Sequence, residues 1–352
     1  MKRFILTLVI LLFSFLSLSY KPNIISKAKV INISGQTSNY LELFPIKQNN
    51  KWGYIDKSGQ IAIEPKYLAA QPFSENIAFV RTSKHIKAID STGNTIFNLP
   101  LNSSFPGLYS EDLAPMLVDG KYGFIDKKGK VVIDFQFDFA RSFSDGLALV
   151  KLEDYYGFID KEGKIVIKPQ FASATSFSDG LAAVRFKKTD QHPAFIDKKG
   201  EATFYIPSQL TKTFVKKTIS EINTFELTGI SDSTATSKLT STFNAKIAFD
   251  SRAFSENLVS VKINNQYGYI NKEGKVVIDP QFAYADAFSN GLAQISLRGK
   301  CAFINQSGNV VINTPYHYYS CSTFSSGLAK IQNGGQIGYI DGDGQFVWPL
   351  TE

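Results

Sequence analysis

Short apolar runs broken by turn residues cover most of this chain, and within the runs the spacing is that of strands. Between 147 and 168 three runs follow one another: Leu147 to Leu152, Tyr156 to Asp160 and Lys164 to Lys168, with Glu153, Asp154 and Tyr155 as the first turn. They predict a three-stranded antiparallel meander. In Tyr122-Gly123-Phe124-Ile125, strand alternation puts Tyr122 and Phe124 on one face and Gly123 and Ile125 on the other. Both faces are apolar, so each sheet has to be covered on both sides, and neighbouring meanders are expected to pack face to face at about 10 Å. The strand glycine is expected to let the next sheet come close.

The pattern repeats. An apolar strand ending in Asp or Asn, with Gly three residues later, occurs at Asp56/Gly59, Asp90/Gly93, Asp126/Gly129, Asp160/Gly163, Asp197/Gly200, Asn271/Gly274, Asn305/Gly308 and Asp341/Gly344. Successive acids or amides are 34, 36, 34, 37, 74, 34 and 36 residues apart, a period typical of propeller blades and solenoid units. Asp first and Gly fourth is the composition of a type I turn closed by a residue at positive φ, so backbone geometry alone accounts for these residues. A second landmark, Phe-Ser-x-Gly or Phe-Ser-x-Asn, stands at Phe73, Phe143, Phe177, Phe254, Phe288 and Phe324, with Tyr109-Ser-Glu-Asp112 in the second unit. It reads as a turn with an aromatic anchor in the core.

Together these signals predict an all-β chain: a tandem array of eight three-stranded meanders over 41–352, from a first strand at Leu41 to Lys47 to a last at Gln345 to Pro349. Nothing is left over for a strand-sharing clasp, and a propeller-like ring and an open superhelical stack both fit. The long step of 74 is one unit carrying an insertion at about 207–248, where 15 of the 35 residues from Ser208 to Thr242 are Ser or Thr. Its polarity fits a solvated excursion, while Phe214, Val215, Ile219, Ile222, Phe225 and Leu227 would suit docking.

At the start of the chain, Lys2 and Arg3 precede an apolar run from Phe4, and Ser17 and Ser19 meet the small-x-small rule. Residues 1–19 therefore read as a signal peptide cut after Ser19, with 20–40 as a lead-in, because the run is shorter than the roughly 20 residues a spanning helix needs. The mature chain is expected to be exported, to the periplasm, the outer surface or the medium, and not inserted in a membrane.

Charge changes little. The formal net charge of +7 falls to 7 − 2 = +5 without Lys2 and Arg3, and most lysines sit beside acids in the turns. No clustered Arg with interleaved aromatics suggests nucleic acid. His85, His192 and His317 have no metal-ligand spacing, and no nucleophile elbow or phosphate loop occurs. Asp341-Gly342-Asp343-Gly344 resembles the start of a calcium loop but fills the repeated turn and lacks the downstream Glu. No catalytic residue, cofactor or metal is expected. Asp190, His192 and Glu153 are the weak candidates a channel hydrolase would have to use. Cys301 and Cys321 both fall in the seventh unit, Cys301 in a slot held elsewhere by Trp52, Tyr122, Tyr156 and Tyr267, Cys321 in one held by Ala70, Ala140, Ala174 and Ala285. A disulfide and two separate buried thiols are both consistent with that placement.

The segment Lys51-Trp52-Gly53-Tyr54-Ile55-Asp56-Lys57-Ser58-Gly59, with its apolar strand, aromatic connector and Phe-Ser turn, resembles the bacterial WG-repeat (KWG-repeat) family. The likeness runs from about Leu41 to Glu352, less the insertion. It implies a β-rich tandem array with no shared enzymatic activity. Only unit one has a literal Trp-Gly; Lys87, Ala194 and Ala302 take the Gly position in units two, five and seven, which predicts weaker approach and irregularity at those joints. The function expected is a non-enzymatic binding or scaffold protein of the cell envelope, with a protein or an envelope polymer as partner. Self-assembly through terminal units is the alternative.

Overall fold

A computed structural model describes residues 42–186, 194–205, 253–263 and 265–351. The leader at 1–19, the lead-in at 20–40, the insertion at 207–248, Asp190 and His192 lie outside the described residues. Strands make up eight antiparallel sheets, each a meander, at 43–67, 69–99, 113–137, 139–171, 173–205, 258–282, 285–317 and 329–351. Among the described residues the only helical element is the 3₁₀ turn Tyr318–Ser320.

Three strands per unit proves too few for four of the sheets. Ala69–Ala70, Phe139–Ala140, Ser173–Ala174 and Ala285–Ser289 each add a leading strand to sheets two, four, five and seven. Three of these are two residues long, below the length at which periodicity registers. In sheet eight a single bridge from Cys321 to Ile331 stands in the same place.

The strand glycine has a different job from the one expected. A Cβ on Gly53 would lie 2.5 Å from the Ile63 carbonyl oxygen and 2.6 Å from Pro65 N, both in the third strand of its own sheet. That strand is bulged: Tyr54 pairs with Ile63 and Trp52 with Tyr67, so three residues of the second strand face five of the third. Sheets three, four and six repeat this at Gly123, Gly157 and Gly268. The glycine thus accommodates backbone folded over it within one sheet, not an approaching neighbour. Irregularity also runs opposite to expectation in two units. With Lys87 or Ala194 at the position, the third strand pairs residue for residue there, as Lys87 with Asn98 and Ala194 with Tyr205. In sheet seven, which has Ala302, the bulge slides to face Cys301, whose carbonyl accepts a 2.9 Å bond from Thr314 Oγ1.

Both faces of each sheet are buried against neighbours, as the alternation requires. Phe124 of sheet three packs with Ala148, Val150 and Ile159 of sheet four, while Ile125 packs with Phe79, Ile86 and Ala88 of sheet two. Every consecutive pair has such a cluster, including sheets five and six across the insertion, where Phe195 meets Val261 and Ile270. Sheet eight also meets sheet one: Leu328, Ile337 and Tyr339 share a cluster with Phe44, Ile46 and Ile55, and Tyr339 Oη donates a 2.8 Å hydrogen bond to the Pro45 carbonyl.

Candidate functional site

The repeated turns come first, because they carried most of the sequence signal. Asp56 N donates to the Gln60 carbonyl at 2.8 Å, Gly59 N donates to the Asp56 carbonyl at 3.0 Å, and Gly59 has φ +85°. This is a type I turn closed by a bulge glycine. Asp56 Oδ1 also accepts from Ser58 N, Ser58 Oγ and Gln60 N, and the Ser58 hydroxyl is the chief reason its carboxyl sits below the usual range. Asp126, Asp160 and Asn271 build the same turn with Gly129, Gly163 and Gly274. Seven of these turn glycines also rest on a neighbouring sheet. Gly163 faces Ile133, Gly308 faces Ile278, Gly129 faces the Phe97 ring, and Gly59 faces Val347 of sheet eight.

The Phe-Ser turns form a chain. Both central residues have positive φ, as at Glu75 (49°) and Asn76 (68°), or Asp179 (55°) and Gly180 (83°), which defines type I′ hairpin turns. The side chain at the first central position accepts a backbone N–H from the next sheet's turn. Glu75 takes Glu111 N and Asp112 N, Glu111 takes Gly146 N, Asp145 takes Gly180 N, Asp179 takes Asn257 N, Glu256 takes Gly291 N and Asn290 takes Gly327 N. Lysines from the neighbouring Asp turns lie over these acids: Lys127 Nζ is 3.1 Å from Glu75 and 2.7 Å from Asp112, and Lys161 Nζ is 3.5 Å from Glu111. Partial burial pulls the Lys127 ammonium down, but the two carboxylates outweigh it and hold its pKa above the ordinary value. The belt is charged yet internally paired, and its carboxylates serve the joints. The degenerate second copy, Tyr109-Ser-Glu-Asp112, makes the same turn, and Tyr109 Oη donates to the Asp126 carbonyl at 2.8 Å.

A cleft of about 350 Å³ opens instead at the opposite, hairpin end of sheet seven. Tyr284, Asp286, Gln294, Tyr318, Tyr319, Cys321, Ser322 and Thr323 line it. The sheet's long last strand, Val310–His317, runs into the 3₁₀ turn that presents Tyr318 and Tyr319. The Gln294 side-chain amide, buried beneath, holds that turn by donating to the Tyr318 carbonyl. Tyr284 and Tyr318 rings lie 5.2 Å apart, and the His317 ring lies 3.8 Å from that of Tyr319, which is 75% exposed. Asp286 is fixed by Ala287 N at 2.9 Å and Tyr284 Oη at 3.3 Å. Cys321, on the cleft wall, reaches bonding distance of Cys301, with Cα atoms 6.4 Å apart.

The two cysteines marked the seventh unit as unusual, but nothing in the sequence reading pointed to this cleft. A consecutive His317-Tyr318-Tyr319 run, present in no other unit, was the available signal. Glu153 caps a hairpin, its N–H donating to Asp138 at 2.7 Å, and stands at the end of the sheet away from the chained turns. His85 closes another hairpin with Thr82. Among the described residues no three His, Cys, Asp or Glu side chains are grouped as metal ligands, and no helix is long and apolar enough to cross a membrane.

The WG containing repeat matches the chain at residues 52–83, 122–156, 156–188, 267–301 and 302–336, and by these five copies the chain is a WG-repeat protein. Four of the matches begin at the aromatic residue before the strand glycine, at Trp52, Tyr122, Tyr156 and Tyr267. No curated protein matches the chain in sequence. Similar solved structures include a eukaryotic initiation factor (13% identity, 86% of this chain and 82% of that one, TM-score 0.47). Others are the C-terminal WD40 domain of Sif2 (9%, 86% and 84%, 0.46) and Kluyveromyces lactis Hsv2p (9%, 81% and 97%, 0.46). At such scores and identities these likenesses decide nothing about what this chain binds.

Proposed function

We propose that this is an exported, non-enzymatic binding or scaffold protein of the cell envelope, its eight sheets closed into one ring and its partner a protein or an envelope polymer. The observation that carries the reading is the joint between sheets eight and one. It repeats the contacts of the other joints: turn glycine on the preceding outer strand, tyrosine hydroxyl on the next sheet's backbone, and Lys57 Nζ beside Gly327, near enough to leave 2.7 Å to a Cβ there. A repeat body whose sheets are consumed in packing one another is a rigid support, and recognition then falls to hairpins and connectors that the packing does not constrain. Export is supported by the leader pattern at 1–19 and by the cysteine pair, which suits an oxidising compartment.

Proximity labelling and pull-down of the mature chain in its native envelope, with and without residues 208–242, tests the reading. One protein or glycan captured reproducibly is the expected result. Its loss on deletion puts recognition in the insertion, and its survival puts it on the repeats. Recovery of the chain alone would overturn the proposal in favour of self-assembly.

A further inference from the structure

We infer that an arc of basic hairpins, at the end of the sheets away from the chained turns, docks a linear phosphodiester polymer, an anionic chain built without rings. The inference rests on the binding reading above and gives the partner's chemistry. The hairpins joining first to second strands in sheets six, seven, eight, one and two, at 262–266, 297–300, 333–336, 47–51 and 81–86, carry seven Lys or Arg and no Asp or Glu. They stand side by side. At the opposite end Glu256 bonds Gly291 N and Asn290 bonds Gly327 N, tying sheets six, seven and eight; Gly59 of sheet one rests on Val347 of sheet eight, and Gly93 of sheet two on Ile63 of sheet one. Lys51, Lys84, Arg298 and Lys300 are exposed, and among the described residues no carboxylate pairs with any of them.

Charge is arranged differently on the rest of the molecule. The carboxylates of the chained turns accept backbone N–H groups and lie beside Lys127 and Lys161. The hairpins of sheets three and four share the arc's end but are mixed: Lys121 pairs with Asp138 at 2.5 Å, and Asp119, Glu153 and Asp154 are exposed. An anionic membrane plane laid on this end would meet those acids, whereas a flexible chain can follow the arc and leave them aside. Asp286, in the cleft, brings one carboxylate to this end of the arc's sheets, against seven cations. The hairpins also bear on what kind of chain fits. Besides His85 no aromatic side chain stands in them, so no row of ring faces follows the arc for bases or sugar rings to stack on. Phosphates spaced along a ring-free chain need only point charges, which Lys and Arg supply.

Poly(glycerol phosphate) is the probe, with phosphatidylglycerol vesicles, oligothymidylate and polygalacturonate as the membrane, nucleic-acid and carboxylate-polymer controls, each titrated against the full mature chain by calorimetry. Saturable binding of the probe is expected, weakening about 20- to 50-fold between about 50 and 200 mM salt, as three or four phosphate contacts require. Lys51→Gln, Lys84→Gln, Arg298→Gln and Lys300→Gln combined should abolish that binding, and each alone should lower the salt slope by about 1. Lys128→Gln, Lys130→Gln, Lys164→Gln and Lys199→Gln combined remove as much charge from the opposite end and should leave binding unchanged. All eight side chains are exposed, so both variants should melt like the wild type, which the same samples verify. Tighter binding of any control than of the probe, equal weakening by the two variants, or no saturable probe binding to the folded wild type would each overturn the arc. Capture of a protein partner by a chain that ignores the probe would overturn this inference and leave the scaffold reading standing.

Discussion

Two kinds of glycine recur along the chain, and adding a methyl group separates them. Gly157 is tight on account of its neighbours: a Cβ would come 2.6 Å from the Ile167 carbonyl oxygen and 2.7 Å from Pro169 N. Gly180 is open on every side but has φ +83°. Gly157→Ala should therefore lose about 2–4 kcal/mol, the scale of an overpacked core position, because the bulged strand has to lift. Gly180→Ala should lose about 1 kcal/mol, the cost of a left-handed non-glycine residue. Equal losses in urea melts would remove the bulge explanation. Tyrosines give a second residue-scale prediction. Burial pushes the phenols of Tyr54, Tyr109 and Tyr339 well above their ordinary range. Because the folded pKa is raised, their contribution to stability is complete below the unfolded value of about 10 and is lost as pH climbs past it. Ultraviolet titration should show these three ionising only in step with alkaline unfolding. Reversible ionisation of every tyrosine in a folded chain would contradict the burial.

At the scale of the element, the joints depend on turns that clasp one another. Asp179 accepts Asn257 N at 2.7 Å, and Lys272 donates to its carbonyl at 2.8 Å, bridging sheets that lie on either side of the insertion. Asp179→Ala should cost about 1 kcal/mol, discounted for its partial exposure, and should speed hydrogen exchange at the Asn257 amide while leaving the amides of sheets one to three unchanged. Unchanged exchange at Asn257 would show that the clasp contributes nothing. These turns were legible in part. The Asp-x-x-Gly turn is local, so its residues declare it, and so does the left-handed last position of the Phe-Ser turn. The residue before it, such as Glu75 or Asp179, was not recognised as left-handed, and its bond to the next sheet joins residues 35 or more apart. The bulges were hidden for a related reason. Alternation reports which face a side chain takes, not what stands opposite, and the prolines inside third strands, Pro65, Pro169, Pro280, Pro315 and Pro349, were the hint that the ladder breaks there. Lys87 and Ala194 read as defects from the pattern, yet they mark the sheets whose third strand has no bulge opposite that position.

For the whole molecule the deciding contact joins the first sheet to the last. Tyr339 and Tyr269 are counterparts, each buried and each donating its hydroxyl to backbone of the following sheet, Tyr269 to the Asp286 carbonyl at 2.7 Å and Tyr339 to that of Pro45 at 2.8 Å. The first bond needs only consecutive sheets; the second needs the array to return on itself. No local pattern could have revealed it, since it links residues 294 apart. In a ring, Tyr339→Phe leaves the Pro45 carbonyl unsatisfied in the core and should cost about 1–3 kcal/mol, as Tyr269→Phe does at an interior joint. In an open stack the same hydroxyl would be hydrated, and Phe44, Ile46 and Ile337 would form apolar end faces prone to self-association. Equilibrium urea unfolding of both variants, with sedimentation to fix the oligomeric state, separates the cases. Matching losses in a monomer support closure. A neutral Tyr339→Phe beside a costly Tyr269→Phe would open the ring and return the terminal faces to the assembly reading.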